Sequence, residues 1–305
     1  VLQAQNAYHL QWDQHLSAYS GAENLLSIHR GLSHIKDKII PVQLGPEDKA
    51  ISKLSGITYR LGKALMLDFP LAYMPHLFQH EVFGHGYRIR DLGKDVANVI
   101  DYVIDYGSGI THFSVSPNIT PSQILAINIS GIEAEYTLSR ELKKQFFQAG
   151  SISGREGSLY YLNALGGALY AMTLIHNDFP GHDIHSYRSI VNAVIPHANL
   201  GRVELRRKFL LNLIDPMVYY SIWAKWNYIL YAKNAPIPMF KIGSTRFLPS
   251  VRFELAPFGP ETYVENYMII KDKLLYMYAR WGNCGSNEYY GIGIDQRSIF
   301  KRKNT

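Results

Sequence analysis

Two histidines and a glutamate in one short stretch have the residue types of a metal site. The segment Leu77–Tyr87 reads LFQHEVFGHGY and contains His80, Glu81 and His85. In the familiar zinc-hydrolase signature H-E-x-x-H the histidines are four residues apart, so both imidazoles face one ion. Here they are five apart, which places them roughly 140° apart around a regular helix. A regular helix therefore cannot direct both side chains to the same ion.

A local insertion in the helix would remove this conflict. A π-type turn adds one residue to a helical turn, and such turns are often found at functional sites. Gly84 lies just before the second histidine and lowers the cost of such a distortion, and Gly86 lets the helix loosen or end. If HEVFGH binds a metal, we expect a π-turn within it.

The pattern H-E-x-x-G-H resembles the signature of the dipeptidyl peptidase III family of zinc peptidases. His80, Glu81, Gly84 and His85 match that signature by residue type. The resemblance implies that the two histidines bind zinc, that Glu81 is the general base, and that a glutamate on a separate helix is the third ligand. It covers six residues and implies a zincin-like metallopeptidase centre, without carrying over substrate or fold.

The third ligand should be a histidine, glutamate or aspartate, because Cys284 is the only cysteine and catalytic zinc usually takes three protein ligands. The segment GIEAEY offers Glu133 and Glu135 on a strongly predicted helix. At about 100° per residue, Glu135 falls on the apolar side of that helix and Glu133 on the charged side. We predict Glu135 as the metal ligand, with Glu133 as the alternative. Gly131, one turn before Glu135, would let the HEVFGH helix approach closely.

A second polar cluster, GHDIHSY, opens another predicted helix. Asp183 has the residue type of an N-cap, which is the simplest interpretation of it. His182, His185 or Tyr187 could instead donate a hydrogen bond to the oxyanion formed during attack on a carbonyl. We select His185 and Tyr187 as candidate catalytic residues. Of two further histidines, His112 could compete for the position of third metal ligand. We interpret His176 as structural.

These residues predict a hydrolytic mechanism with Zn²⁺ as cofactor. Zinc would lower the pKa of its bound water and polarise the substrate carbonyl. Glu81 would take the proton and pass it to the leaving amine. The predicted substrate is a peptide or another small carbonyl compound, and the strand at 109–116 could pair with an extended peptide. Manganese, nickel or iron could replace zinc, since His and Glu ligands suit several metals.

Three alternatives compete with this interpretation. The histidines could be two core residues of a buried helix, although burying an unpaired Glu81 is costly. The metal could have a structural role, with Glu81 only orienting a ligand. The protein could also be an envelope interaction protein that uses its tyrosine-rich C-terminal segment 262–281 to contact a membrane or a second subunit.

Composition narrows the class of protein. The net charge is +6 with 31 basic and 25 acidic residues, but the basic residues are scattered and form no nucleic-acid motif. We therefore expect no nucleic-acid partner. A single cysteine excludes an intrachain disulfide. The chain start suggests processing, so we expect a periplasmic or outer-envelope location, with the cytoplasm as the alternative. No apolar run is long enough to predict a transmembrane helix.

The elements predict an α+β fold in one compact unit. Residues 1–237 form a helical body, and residues 238–305 form a β-rich segment with an antiparallel meander of about four strands. Within the body we predict one strand at 109–116. The predicted helices span 70–88, 92–106, 121–147, 156–176, 201–214 and 216–233, with a short one beginning near 183.

Overall fold

The computed structural model describes residues 8–45, 49–173 and 181–296 and confirms a mainly helical α+β fold with a C-terminal antiparallel sheet. The helices are α1 Ala18–Ile39, α2 Ala50–Lys63, α3 Phe69–His80, α4 Gly86–Leu92, α5 Pro121–Ala149, α6 Gly154–Met172, α7 Asp183–Val194, α8 Arg202–Phe209 and α9 Pro216–Tyr231. The strands are β1 Ala97–Ile104, β2 Gly109–Val115, β3 Ser151–Ile152, β4 Ala235–Pro236, β5 Phe240–Ile242, β6 Thr245–Ala256, β7 Gly259–Ile270, β8 Lys273–Cys284 and β9 Asn287–Gln296.

Helix α5 has the clearest local signals at both ends, and the structure follows them. Thr120 caps it by accepting a hydrogen bond from the backbone of Gln123, and Pro121 occupies the first helical position. Gly150 ends the helix with φ of 70°, a left-handed conformation that glycine adopts without strain. The helix is buried along most of its length, so it forms the centre around which the other helices pack.

The helix that carries HEVFGH begins earlier than we predicted. Two π-helical segments, Ala64–Asp68 and Glu81–His85, separate α2, α3 and α4, while the backbone stays helical throughout. Pro70 therefore lies inside a longer helical stretch, directly after a π-turn, rather than at a helix start.

The helix predicted at 92–106 is wrong, because Ala97–Ile104 is strand β1 and pairs antiparallel with β2. The segment is rich in β-branched residues, which favour a pleated surface. In the connection to β2, Asp105 Oδ1 accepts hydrogen bonds from the N–H groups of Gly107 and Ser108, and the two strands form a hairpin. The strand predicted at 109–116 is confirmed as β2.

The C-terminal sheet is a five-stranded antiparallel meander in the order β5-β6-β7-β8-β9. Lys271 and Asp272 connect β7 to β8 with positive φ angles of 49° and 62°, as in the two-residue type I′ turn that suits the twist of a hairpin. One face packs on the helices, where Phe147 of α5 stacks on Tyr267 at 5.1 Å between ring centroids. The helical body and the sheet therefore share one hydrophobic core.

The other face of the sheet is open to solvent in the structure. Tyr290, Ile292 and Ile294 of β9 are 73%, 86% and 69% exposed. Within the described ranges, no helix has the length and apolar character needed to cross a membrane.

Candidate metal centre

The π-turn Glu81–His85 brings the two histidines of HEVFGH to the same side of the helix. The Nε2 atoms of His80 and His85 lie 3.1 Å apart, and the rings meet edge to face with centroids 4.9 Å apart. The extra residue in this turn compensates for the five-residue spacing, as we expected.

Asp183, the first residue of α7, supplies a third atom at the same point. Its Oδ2 lies 3.2 Å from His80 Nε2 and 3.1 Å from His85 Nε2. The three atoms thus form a nearly equilateral triangle. An ion about 2.1 Å from each atom would see every pair at roughly 100°, close to the tetrahedral arrangement of zinc.

The hydrogen-bond partners of the two rings determine which nitrogens face this point. His80 Nδ1 lies 2.7 Å from Glu135 Oε1, and His85 Nδ1 lies 2.8 Å from the carbonyl oxygen of Ile127. A carboxylate and a carbonyl only accept hydrogen bonds, so both Nδ1 atoms carry the hydrogen. In the neutral rings both Nε2 lone pairs would then face an aspartate oxygen, and a positive charge from a proton or a metal ion would relieve the repulsion among these three acceptors.

In the absence of an ion, protons would serve as that cation. Burial alone lowers the pKa of His80, but hydrogen bonds to Asp183 and Glu135 raise it well above its usual range. His85 shows the same balance, with burial opposed mainly by the charge of Asp183, and its pKa is also raised. Burial raises the pKa of Asp183, but the two histidines outweigh it, so that pKa falls well below its ordinary value. The site therefore concentrates positive charge at the triangle.

The structure corrects the expected place of Glu135. Its carboxylate points inward, as the helical phase predicted, while Glu133 points outward and pairs with Arg88 at 3.1 Å. However, Glu135 contacts the Nδ1 atom of His80. The lone pairs of Nδ1 and Nε2 point away from each other, so Glu135 is placed to orient a candidate ligand, whereas Asp183 occupies the third position of the triangle.

Close approach between the HEVFGH helix and α5 depends on two glycines. A Cβ at Gly84 would lie 2.7 Å from Gly131 Cα, and a Cβ at Gly131 would lie 2.4 Å from His80 Nε2. Contacts this short do not occur between real side chains and backbone. Gly131 therefore allows the close approach of the HEVFGH helix to α5 that we expected.

Glu81 is held by strand β2 beside the same site. Thr111 Oγ1 donates to Glu81 Oε2 at 2.6 Å. Gly109 packs against the rest of the side chain, since a Cβ there would lie 2.5 Å from Glu81 Cγ. The carboxylate is buried and keeps one orientation, which is what a general base requires.

A cleft of about 1010 Å³ joins these groups. Its walls come from α3, the β1–β2 hairpin, α5, α6 and the start of α7. The lining includes His80, Glu81, His85, Glu135 and Asp183. The candidate metal site and the candidate base therefore open on one cavity large enough for part of a peptide.

His185 and Tyr187 are not brought into this cleft, and their expected catalytic placement is corrected. Tyr187 is fully buried in a core cluster and donates to the carbonyl oxygen of Ala256 at 2.8 Å. His185 lies two residues after Asp183 on α7, roughly 160° around the helix from it, and it does not line the cleft. Tyr170 of α6 lines the cleft instead, and its ring centroid lies 6.2 Å from that of His80.

Asp183 was not identified from the sequence as a candidate ligand, because the role of helix N-cap already explained an aspartate at this position. The N-cap of α7 is in fact His182, whose Nδ1 accepts from the backbone of His185 at 3.4 Å. The signal that could have identified Asp183 was its place in a polar cluster with two histidines. Of the remaining candidates, His112 pairs with Asp101 across the hairpin, and His176 lies outside the described residues.

The comparisons with known proteins add no family or name to this geometry. The chain matches no protein-family model, no curated protein and no solved structure.

Proposed function

We propose that this protein is a zinc-dependent hydrolase that cleaves peptide bonds. One observation carries the proposal: two imidazole Nε2 atoms and an Asp183 oxygen converge within 3.2 Å while both Nδ1 atoms are engaged elsewhere. Two histidines and a carboxylate, with a further position left for water, are the ligand pattern of catalytic zinc. The same ligands also suit iron, manganese or nickel, which the metal analysis below distinguishes.

The metal would supply a Lewis acid and a water molecule of lowered pKa. The protein would hold it with His80, His85 and Asp183. Glu135 would keep His80 in the tautomer that presents Nε2 to the metal, and such outer carboxylates raise the basicity of a histidine ligand.

Glu81 is the general base in this proposal. It lines the cleft beside the ligands, and the Thr111 hydroxyl holds one of its oxygens at 2.6 Å. The carboxylate would take a proton from water and transfer it to the leaving amine of the substrate.

Tyr170 replaces His185 and Tyr187 as the candidate oxyanion donor. The backbone N–H of Asp183 donates to the Tyr170 hydroxyl at 3.3 Å, so that oxygen acts as an acceptor there. The phenolic hydrogen is then available for the oxygen of a substrate in the cleft.

Metal analysis with matched variants tests the metal site. Wild-type protein and the variants His85→Ala, Asp183→Ala and Glu133→Ala would be purified, incubated with zinc, desalted and analysed by elemental mass spectrometry. We expect one zinc per chain in the wild type and in Glu133→Ala, and loss of zinc in the other two. A wild type without any metal would contradict the proposal and leave two core histidines. If the protein as purified contains iron instead of zinc, the proposed reaction would be one that iron catalyses rather than zinc-dependent hydrolysis.

Glu81→Gln separates catalysis from a structural metal. The substitution keeps the shape of the side chain but removes its ability to accept a proton. We expect unchanged zinc content and at least a hundredfold loss of peptide hydrolysis. Full zinc content without hydrolysis in either protein would favour the alternative in which the metal only links helices, and equal hydrolysis by both would contradict Glu81 as the base.

Envelope location and contact of the C-terminal sheet with a membrane or a second subunit stay predictions. The exposed apolar residues of β9 support a contact made by the sheet. Substitution of Ile292 by lysine, followed by vesicle flotation and measurement of the molecular mass in solution, would test both forms of contact.

A further inference from the structure

We propose that the cleft accepts an internal, uncharged stretch of an extended polypeptide, so that the protein is an endopeptidase. This inference rests on the function proposed above and names its substrate class. An exopeptidase must recognise a chain end, which carries either a carboxylate or an ammonium group. The described part of the cleft offers neither a lysine or arginine for the first nor an accessible carboxylate for the second, and His80 and His85 are committed to the triangle with Asp183.

A C-terminal carboxylate would need cations or several unengaged backbone N–H groups that converge on one point, as at a turn or a helix start. Among the described residues that line the cleft, none is lysine or arginine. The N–H groups of Gly107 and Ser108, at the tip of the β1–β2 hairpin, both donate to Asp105 Oδ1 at 2.8 Å. At the start of α7, the N–H of Asp183 donates to Tyr170 and that of His185 to His182. These backbone groups are therefore already satisfied.

An N-terminal ammonium would need a carboxylate that is still accessible. The described cleft contains three, and each is engaged: Glu81 by Thr111, Glu135 by His80, and Asp183 by both histidines. The second oxygen of Glu135 packs against Gly166, where a Cβ would lie 2.0 Å from it. An ammonium group cannot reach an oxygen that is enclosed in this way.

The walls of the cleft are instead apolar. Its lining includes Ile100, Ile110 and Phe113 of the hairpin and Leu162 and Leu169 of α6. Leu169 is 57% exposed, and Ile100 and Ile110 are also exposed at the rim. Apolar side chains of a bound substrate would remove this surface from water, whereas charged ones would lose their hydration without gaining a partner.

Strand β2 gives such a substrate a direction through the cleft. Every residue from 107 to 113 borders the cavity. Side chains of a strand alternate between two faces, so a continuous run indicates that the backbone edge itself borders the cavity. Within the described chain, β2 pairs only with β1. An extended peptide can pair with the other edge and continue beyond it at both ends, which an internal segment requires.

Peptides with blocked and free ends test the inference directly. Zinc-loaded protein would be incubated with internally quenched peptides of one apolar sequence in three forms: both ends blocked, only the amino end free, and only the carboxyl end free. We expect the doubly blocked peptide to be cleaved within about threefold of the others, with internal cleavage found by mass spectrometry. A loss of about tenfold or more on blocking either end would overturn the inference and leave the hydrolase in place.

A charge placed on the cleft wall provides a second, independent readout. Leu169→Arg should raise kcat/KM for peptides with an acidic residue next to the cleaved bond by about tenfold relative to the apolar peptide. Val203→Arg is the matched control, because Val203 lies on α8 outside the cleft and is 58% exposed. Identical selectivity in the two variants would count against the apolar wall as part of the substrate site.

The two proposals fail in different ways. If neither zinc-loaded wild type nor Glu81→Gln cleaves any of the three peptides, the hydrolase itself is contradicted, and the inference with it. Cleavage that requires a free end contradicts only the inference.

Discussion

Each of the two histidines at the candidate metal site is oriented by a neighbour that is not itself a candidate ligand. Glu135 orients His80, and the carbonyl oxygen of Ile127 orients His85. These partners fix the tautomer of each ring and so select Nε2 as the metal-binding atom. Asp183 is positioned differently, because its place at the start of α7 brings its carboxylate to the triangle. Ligands and orienting residues should therefore respond differently to substitution.

Asp183→Ala and Glu135→Gln should separate these two roles. Loss of a ligand should abolish measurable zinc binding, whereas loss of the orienting carboxylate should weaken it by about 10- to 100-fold. Competition with a chelator of known affinity would measure both. The reverse order, with stronger loss in Glu135→Gln, would make Glu135 the ligand and contradict the assignment of Asp183.

His29 predicts a pH dependence of stability that is independent of the metal site. Burial lowers the pKa of His29 from its ordinary value of 6.5 to about 4, partly opposed by the charge of Glu156. The unfolded chain therefore binds this proton first as the pH falls. The stability contributed by neutral His29 is fully present above pH 6.5 and is lost as the pH falls towards 4. Between pH 7 and pH 5 the loss should be about 2 kcal/mol.

Denaturant unfolding of zinc-saturated wild type and His29→Leu at both pH values would measure this effect. Subtracting the free energy of unfolding of the variant from that of the wild type removes the contribution of the other titrating groups. The loss of stability between pH 7 and pH 5 that is attributed to His29 should be absent from the variant. Equal slopes in the two proteins would show that burial of His29 is not the cause.

At the scale of elements, the site depends on how closely the HEVFGH helix approaches α5. The π-turn places both histidines on one side, and Gly84 and Gly131 let the backbones meet there. Strand β2 then holds Glu81, while α7 brings Asp183. A shift of less than about 1 Å between two of these elements would separate the three converging atoms.

Gly131→Ala should disrupt this arrangement. The new methyl group would lie 2.4 Å from His80 Nε2, so the ring must move. We expect a destabilisation of about 1–3 kcal/mol and a loss of zinc affinity of at least tenfold. Unchanged zinc affinity in Gly131→Ala would contradict the close packing of these helices.

Gly62→Ala is the matched control for this substitution. A Cβ at that helical glycine would meet no atom of the described chain within 4 Å. The variant should leave zinc binding unchanged and stabilise the protein by up to about 1 kcal/mol, because alanine favours a helix more than glycine does.

At the scale of the whole molecule, the proposed ion links segments that are distant in the chain. His85 and Asp183 are 98 residues apart, and their helices carry different parts of the core. A ligand that binds only the folded protein stabilises it in proportion to the logarithm of its concentration over Kd. Zinc binding should therefore be visible in global stability.

Thermal unfolding with and without zinc tests this linkage. At a free zinc concentration of about 1,000 times Kd, the folded state should gain about 4 kcal/mol. For a chain of this size that gain corresponds to a rise in Tm of roughly 5–10 °C. A chelator should reverse the shift, and Asp183→Ala should not show it. A Tm that does not respond to zinc or chelator in the wild type would contradict a bound ion that joins these helices.

Local patterns in the sequence were sufficient for several elements. The cap at Thr120, the left-handed stop at Gly150 and the turn at Lys271–Asp272 each depend on residues that are neighbours in the chain. The β-rich runs after residue 237 predicted the C-terminal sheet for the same reason. The five-residue spacing of His80 and His85 likewise implied a π-turn, because one helical turn connects them.

Only the tertiary structure decided which carboxylate completes the triangle. Glu135 and Asp183 are both in helices and both have acceptable local roles, so no nearby residue distinguishes a ligand from an orienting group or a cap. The distinction depends on which imidazole nitrogen each carboxylate meets, and that is set by packing between α3, α5 and α7. The strand at Ala97–Ile104 was decided in the same way, because its pairing with β2 outweighed a local pattern that also suits a helix. Short-range chemistry determined most elements of this protein, whereas long-range packing determined strand β1 and the candidate site.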